Sequence, residues 1–182
     1  MASAMPSDDV RLIDCNEAEH ASAILEILNE AIVNSTALYD YVPRPPETMV
    51  SWFATKRAHG FPVVGAVDAA GKLLGFATWG TFRGFPAYKY TVEHSVYVHV
   101  DQRGRGLGEL LINELIRRAR EAQLHVLVGC IDAANIASIG LHQRLGFTHS
   151  GTFPQVGFKF GRWLDVAFYQ LNLETPAQPQ DG

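Results

Sequence analysis

Three features of this chain carry residue types that do chemistry. Gly104, Gly106 and Gly108 alternate with Arg105 and Leu107 just where a strand pattern gives way to a helical one. Glycines let a backbone turn sharply and bring its N–H groups close to a bound group, and the first turn of the next helix has N–H groups without intrahelical partners. Together they form a local site for an anion. Upstream, Glu93 stands mid-strand among β-forming residues, where a carboxylate is unfavourable unless it has a use or a partner. Arg83 has a planar fork that suits an acidic group held by two parallel hydrogen bonds. Each has a plainer alternative: a bare strand-to-helix connection, an ion pair of Glu93 with Arg83 or Lys89, and a solvated loop arginine.

The glycine pattern excludes two anion sites. A nucleoside-triphosphate loop needs Lys followed by Ser or Thr after its last glycine, and Leu107 and Glu109 stand there instead. A dinucleotide fingerprint needs a glycine where Glu109 stands.

The elements that must position these groups follow from periodicity. Val92, Val96, Val98 and Val100 share one strand parity, with Thr91, Glu93, Ser95, Tyr97 and His99 on the other. Leu107, Leu110, Leu111, Leu115 and Ala119 then recur at helical spacing, to about Ala122. Val10 to Cys15 reads as a first strand, and Asn16 with Glu19 as a capping pair for a helix to about Val33. A second helix runs from Glu47 to His59 and stops at Gly60. Phe61–Val67 and Leu73–Phe82 pair across the turn Ala69–Lys72. His125–Ile131 is an apolar run expected to be buried on both faces. A helix from about Ile136 to Leu145 follows, stopped by Gly146, and then strands Phe147–Val156 and Leu164–Leu173, joined through Gly157–Trp163. The expected fold class is α/β (α+β): a mixed, mostly antiparallel sheet of six to seven strands with helices on both faces. Residues 1–174 read as one domain, and 175–182 as a flexible tail.

Composition narrows the partners. The formal net charge is −4 over 182 residues, so no global basic field draws in nucleic acid or anionic lipid. No apolar run approaches the roughly 20 residues that span a bilayer. Met1–Pro6 lacks the marks of a signal peptide, which leads us to expect a cytoplasmic protein. Cys15 and Cys130 are isolated and read as reduced structural thiols, and no metal site is expected among the scattered histidines.

The spacing Arg103-x-x-Gly106-x-Gly108 after a strand resembles the pyrophosphate loop of the GCN5-related N-acetyltransferases (GNAT superfamily). Asn135, Ala, His142 and Gly146–Phe147 resemble that family's second coenzyme motif, with His142 where Tyr is usual. Tyr titrates near 10 and His near 6.5, so a His can accept a proton at neutral pH. Asn34–Tyr39, Thr91–Val98, His142–Phe147 and Gly157–Trp163 are similar to segments of the phosphinothricin and methionine sulfoximine or sulfone N-acetyltransferases. The likeness covers about Val10 to Leu173.

This resemblance implies an enzyme that moves acetyl from acetyl-CoA, its co-substrate, to the α-amino group of a small amino acid. Transfer would be direct, in a ternary complex. It also implies a fourth strand that splays from the fifth, with the coenzyme arm on Ser95, Val96, Tyr97 and Val98 and the gap beside Val126–Cys130. The pyrophosphate would lie against Arg103, Gly104, Arg105, Gly106, Leu107, Gly108 and Glu109. Asn135 and Ser138 would complete the coenzyme site. Glu93 and His142 are the implied proton-accepting pair. Arg83, Tyr88, Glu93, Tyr39 and Lys159 are the implied acceptor-binding residues, Lys159 across a homodimer interface. Another amine acceptor, or an acetyl-CoA sensor without turnover, is the alternative; a sensor has no need of Glu93 or His142.

Overall fold

The computed structural model describes residues 9–181; Met1–Pro6 lies outside that range. The element order is β1 (Arg11–Asp14), α1 (Glu17–Asn34), α2 (Thr48–His59), β2 (Val63–Val67), β3 (Leu73–Thr81), β4 (Thr91–Val98), α3 (Leu107–Glu121), β5 (Val126–Asp132), α4 (Ile136–Arg144), β6 (Thr148–Lys159) and β7 (Arg162–Asn172). The strands form one mixed seven-stranded sheet in the order β1-β2-β3-β4-β5-β7-β6. The chain separates into two compact units. The first holds the described residues up to Thr78 together with Val96–Glu114, and the second holds Trp79–Ser95 and the residues from Leu115 on. Strand β4 contributes to both.

In the first unit, α1 begins where the sequence says it should. Asn16 is extended and its side-chain oxygen accepts from the Glu19 N–H at 2.9 Å. This satisfies a donor that the helix itself leaves over. Asn16→Ala is expected to cost about 1 kcal/mol, read as a fall in the denaturant midpoint. Ile24, Ile27 and Leu28 of α1 pack with Met49 and Phe53 of α2 and with Val63, Val67, Leu73 and Phe76 of β2 and β3. Trp52 meets Phe53 and Phe76 edge-on, and Tyr97 of β4 lies against Phe76 with ring centroids 5.5 Å apart. Burial of each such side chain contributes about 1.5–3 kcal/mol, so this cluster holds β3 and the end of β4 rigidly. Gly60 ends α2 in the left-handed conformation (φ 65°), where a side chain is strained.

In the second unit, β4 and β5 are parallel, with Thr91 opposite Val126, Glu93 opposite Val128 and His94 opposite Gly129. That ladder ends at the His94–Gly129 pair. The gap expected beside Val126–Cys130 is therefore closed by pairing as far as Gly129, and Ser95–Val98 lie beyond it. β5 runs antiparallel to β7, and β7 to β6.

Two local expectations change. The segment Gly157–Trp163 is not a joining loop: β6 and β7 continue through it and reverse at Phe160 (φ 51°) and Gly161 (φ 72°). Two consecutive left-handed residues give the tight turn whose twist matches the flanking strands. Nor is β5 closed on both faces, because Cys130 is exposed; it is not a buried structural thiol. Within residues 175–181, the Thr175 hydroxyl donates to the Leu124 carbonyl, and the Gln180 N–H donates to the Tyr90 hydroxyl at 3.1 Å.

Candidate active site

Side chains of a strand alternate between faces, so the neighbours Glu93 and His94 point opposite ways. Glu93 shares its face with Val128 and Cys130 of β5. Burial raises its carboxyl above the ordinary 4.5, opposed by the nearby positive charge of Arg83. The same two charges act on Cys130. The protein around its sulfur, and then Glu93, push the thiol up to about 11, while Arg83 pulls it down. Glu93, Arg83 and Cys130 thus form one electrostatic group on one face. A carboxylate raised in this way is a proton acceptor matched more closely to neutral pH than a free one. A thiol at about 11 stays protonated, so Cys130 is no nucleophile at neutral pH.

Arg83 is exposed on the loop after β3. Its guanidinium lies over Phe82, 4.7 Å from the ring centroid, and donates to the Phe82 carbonyl at 3.1 Å. Tyr88 closes a short 3-10 turn (Pro86–Tyr88) and meets Phe82 edge-on at 5.7 Å. The loop therefore gathers Arg83 and Tyr88 around one aromatic ring. Tyr39 belongs to the first unit and is half-exposed.

The other face holds a residue that sequence reasoning left aside. His94 is buried, and its Nε2 lies 2.9 Å from Nε2 of His142 on α4. Phe147 packs against both rings, with centroids 5.1 and 5.0 Å away. Nδ1 of His142 is 2.8 Å from the Ser138 carbonyl. Burial depresses both imidazoles. His94 falls to about 3, first by burial and then by His142, against a small opposing pull from the Val128 carbonyl. His142 is lowered by burial, opposed by the Ser138 carbonyl. So His142 is joined to His94 and not to Glu93, which stands on the opposite face. One signal pointed there: His94 occupies the apolar parity of β4 between Val92 and Val96, and a buried polar group needs a partner.

The glycine loop lies in the first unit. Gly104 (φ 77°) and Gly106 (φ 76°) are both left-handed, and Gly108 falls inside the first turn of α3. A Cβ on Gly104 would meet nothing within 4 Å, so the loop surface there is open. Exposed backbone N–H groups at a helix start fit a pyrophosphate. Two loop side chains already have partners: Arg103 pairs with Glu30 at 2.7 Å, and Arg105 donates to Gln102. Leu107 is buried, which leaves only its backbone for a ligand. Glu109 stands in the first helical turn, where its charge suits the helix dipole. Asn135 caps α4, its side-chain oxygen accepting from the Ser138 N–H at 3.1 Å. Lys159 is buried near the β6–β7 turn with Nζ 4.9 Å from the Phe160 ring centre. Its own chain therefore covers it, with the ammonium held against the Phe160 ring. Among the described residues, no group of three or more His, Cys, Asp or Glu could hold a metal ion.

The family model described as "Acetyltransferase (GNAT) family" matches residues 24–147, more than half of the 182. The chain belongs to this family. It is 53% identical over 151 residues to an L-methionine sulfoximine/L-methionine sulfone acetyltransferase of Pseudomonas aeruginosa, covering 83% of this chain and 88% of that one. Among solved GNAT folds, a candidate acetyltransferase of Acinetobacter baylyi superposes with a TM-score of 0.94 at 67% identity, over 95% of this chain and 98% of that one. A phosphinothricin acetyltransferase of Sinorhizobium meliloti in complex with acetyl-CoA gives 0.89 at 36% identity, over 94% and 92%. The mixed seven-stranded sheet is thus the GNAT sheet, and the resemblance carried by Arg103–Gly108 and Asn135–Phe147 is borne out at family level.

Proposed function

We propose that this GNAT enzyme acetylates the α-amino group of a small amino acid such as methionine sulfoximine, methionine sulfone or phosphinothricin, by direct transfer from acetyl-CoA. The observation that carries the reading is the grouping of Glu93 with Arg83 on the accessible face of β4, in a chain 53% identical to an enzyme of that printed name. Acetyl-CoA supplies a thioester carbon and a thiolate leaving group. The backbone N–H groups of Gly104–Glu109 receive its pyrophosphate, Ser95–Val98 and Asn135 hold its arm, and Ser138 borders it. Glu93 takes the ammonium proton, so that the amine nitrogen can attack; the new C–N bond forms, the C–S bond breaks, and the second proton of the attacking nitrogen goes to the departing thiolate. A backbone N–H near Val96 stabilises the charge on the carbonyl oxygen. Arg83 clamps the acceptor's acidic group, with Tyr88 beside it as a wall.

Further parts of the reading are a homodimer, a cytoplasmic location and an ability to confer resistance to a phosphinothricin herbicide. The homodimer is supported by an exposed apolar run on the β6–β7 hairpin: Phe153, Val156, Phe158, Phe160 and Trp163. Exposed patches of this kind mark interfaces. Residues 1–174 act as one catalytic domain, with 175–182 as its tail.

The experiment is an acceptor panel. Purified protein with acetyl-CoA should release free thiol with L-methionine sulfoximine, L-methionine sulfone or L-phosphinothricin. Tight coenzyme binding without turnover on any amine would replace the enzyme by a sensor. Arg83→Ala should raise the acceptor's KM by about 10-fold or more and leave coenzyme affinity alone, as expected for loss of a charge-assisted hydrogen-bond pair. An unchanged KM removes the clamp.

A further inference from the structure

The buried pair His94–His142 fixes where its protons are. A carbonyl only accepts, so at 2.8 Å from the Ser138 oxygen the Nδ1 of His142 must carry the hydrogen. A neutral imidazole has one N–H, which leaves Nε2 of His142 bare. The 2.9 Å contact between the two Nε2 atoms needs one hydrogen, and only His94 can supply it. Nδ1 of His94 is then a bare acceptor, and it is the one buried side-chain polar atom among the described residues without a hydrogen-bond partner. An orphaned lone pair is the tolerable outcome there, whereas an orphaned N–H would be more costly.

Gly129 makes the arrangement possible. A Cβ at that position would come within 3.1 Å of His94 Cε1 and 3.2 Å of His142 Nε2. The glycine sits directly opposite His94 in the β4–β5 ladder, so two rings occupy the volume that one side chain would fill. The pair meets Phe147, Gly129, Ser138 and the Val128 carbonyl, which acts on His94; Glu93, Arg83 and Cys130 belong to the opposite face.

Both nitrogens of His142 are therefore engaged by its own protein. It has no lone pair to offer a substrate amine unless one of two buried bonds breaks. We infer that His94 is a positioning residue of the acetyl transfer: its Nε2–H fills the Nε2 lone pair of His142, straps α4 to β4, and holds the strand so that Glu93 alone takes the proton. This rests on the reading of Glu93 as the base. It assigns His142 a place in the strap instead of a share in proton transfer.

The test uses ¹⁵N-ring-labelled histidine in the full chain, with and without acetyl-CoA, and two variants. The wild-type spectrum should show His142 as the Nδ1–H tautomer and His94 as the Nε2–H tautomer, with His94 gaining no proton between about pH 5 and 8 and His142 gaining one only below the ordinary imidazole range. His94→Gln keeps an amide N–H near the lost Nε2 and should retain most of kcat. His94→Met fills similar volume with no donor. It should lower kcat by tens of fold, up to about 10²-fold, with KM little changed, as misplaced catalytic geometry does. In that variant His142 should begin to titrate towards about 6.5. A wild-type His142 that carries hydrogen on Nε2 or becomes a cation near pH 6.5 overturns the inference, as does equal kcat for the Gln and Met variants. If neither variant folds, the wild-type tautomers decide. Tautomers need no turnover, so their failure is distinct from a failed acceptor panel, which would overturn the proposed function instead.

Discussion

Glu93→Gln is expected to lower kcat by about 10²- to 10⁴-fold, the usual contribution of a positioned general base. Gln has nearly the same shape and hydrogen-bonding reach, so coenzyme affinity, measured by titration calorimetry, should not change. The same residue is expected to set the acid limb of the wild-type profile. Burial disfavours the charged carboxylate and raises its pKa above 4.5, with Arg83 opposing. The base form, and with it kcat/KM, is lost as pH falls through that raised value. Arg83→Ala removes the opposing charge, so the midpoint should move further up. A glutamine variant with full turnover, or an acid limb indifferent to Arg83, would remove Glu93 from the mechanism.

A second large effect is expected at Gly75 in β3. A Cβ there would lie 2.8 Å from the Tyr97 carbonyl oxygen and 3.2 Å from the Val98 Cα, with Leu111 at 3.4 Å. The two nearest obstacles are backbone, which cannot rotate away, and they belong to the part of β4 proposed to hold the coenzyme arm. Gly75→Ala should therefore cost about 3 kcal/mol, the upper range for overpacking, and lower Tm by roughly 6–12 °C. It should also weaken acetyl-CoA binding, because β4 must shift. Gly65→Ala is the control. Its Cβ would crowd Cys15 Sγ and Leu73 Cδ1, at 2.6 and 2.8 Å, but these are the ends of side chains that can turn. The expected loss there is about 1 kcal/mol. Equal losses in a thermal melt would refute the distinction.

These two sites differ in how far they were legible beforehand. Glu93 stood out because its type conflicts with a strand interior. Gly75 did not, because a glycine in a strand says nothing of what approaches it. The same division runs through the molecule. The cap at Asn16, the stop at Gly60, the left-handed Gly104 and Gly106 and the order of the eleven main elements are local, and local chemistry is readable within a few residues. The length of the β6–β7 hairpin was misread because its turn puts Phe160 in a conformation that few side chains adopt, so the residue type gave no signal. Cys130 was misread because an apolar run does not reveal where a neighbouring ladder ends.

By itself the amino-acid sequence pointed to the family, to the glycine loop that suits a pyrophosphate and to Glu93, His142 and Arg83 as candidate site residues. Only the tertiary structure decided how they are shared out. Strand alternation sends Glu93 towards Arg83 and Cys130 and sends His94 the other way. His94 and His142 are 48 positions apart, and their contact exists because a parallel ladder sets Gly129 opposite His94 and leaves room for both rings. Such pairing follows from the closing of the sheet, which no local pattern records.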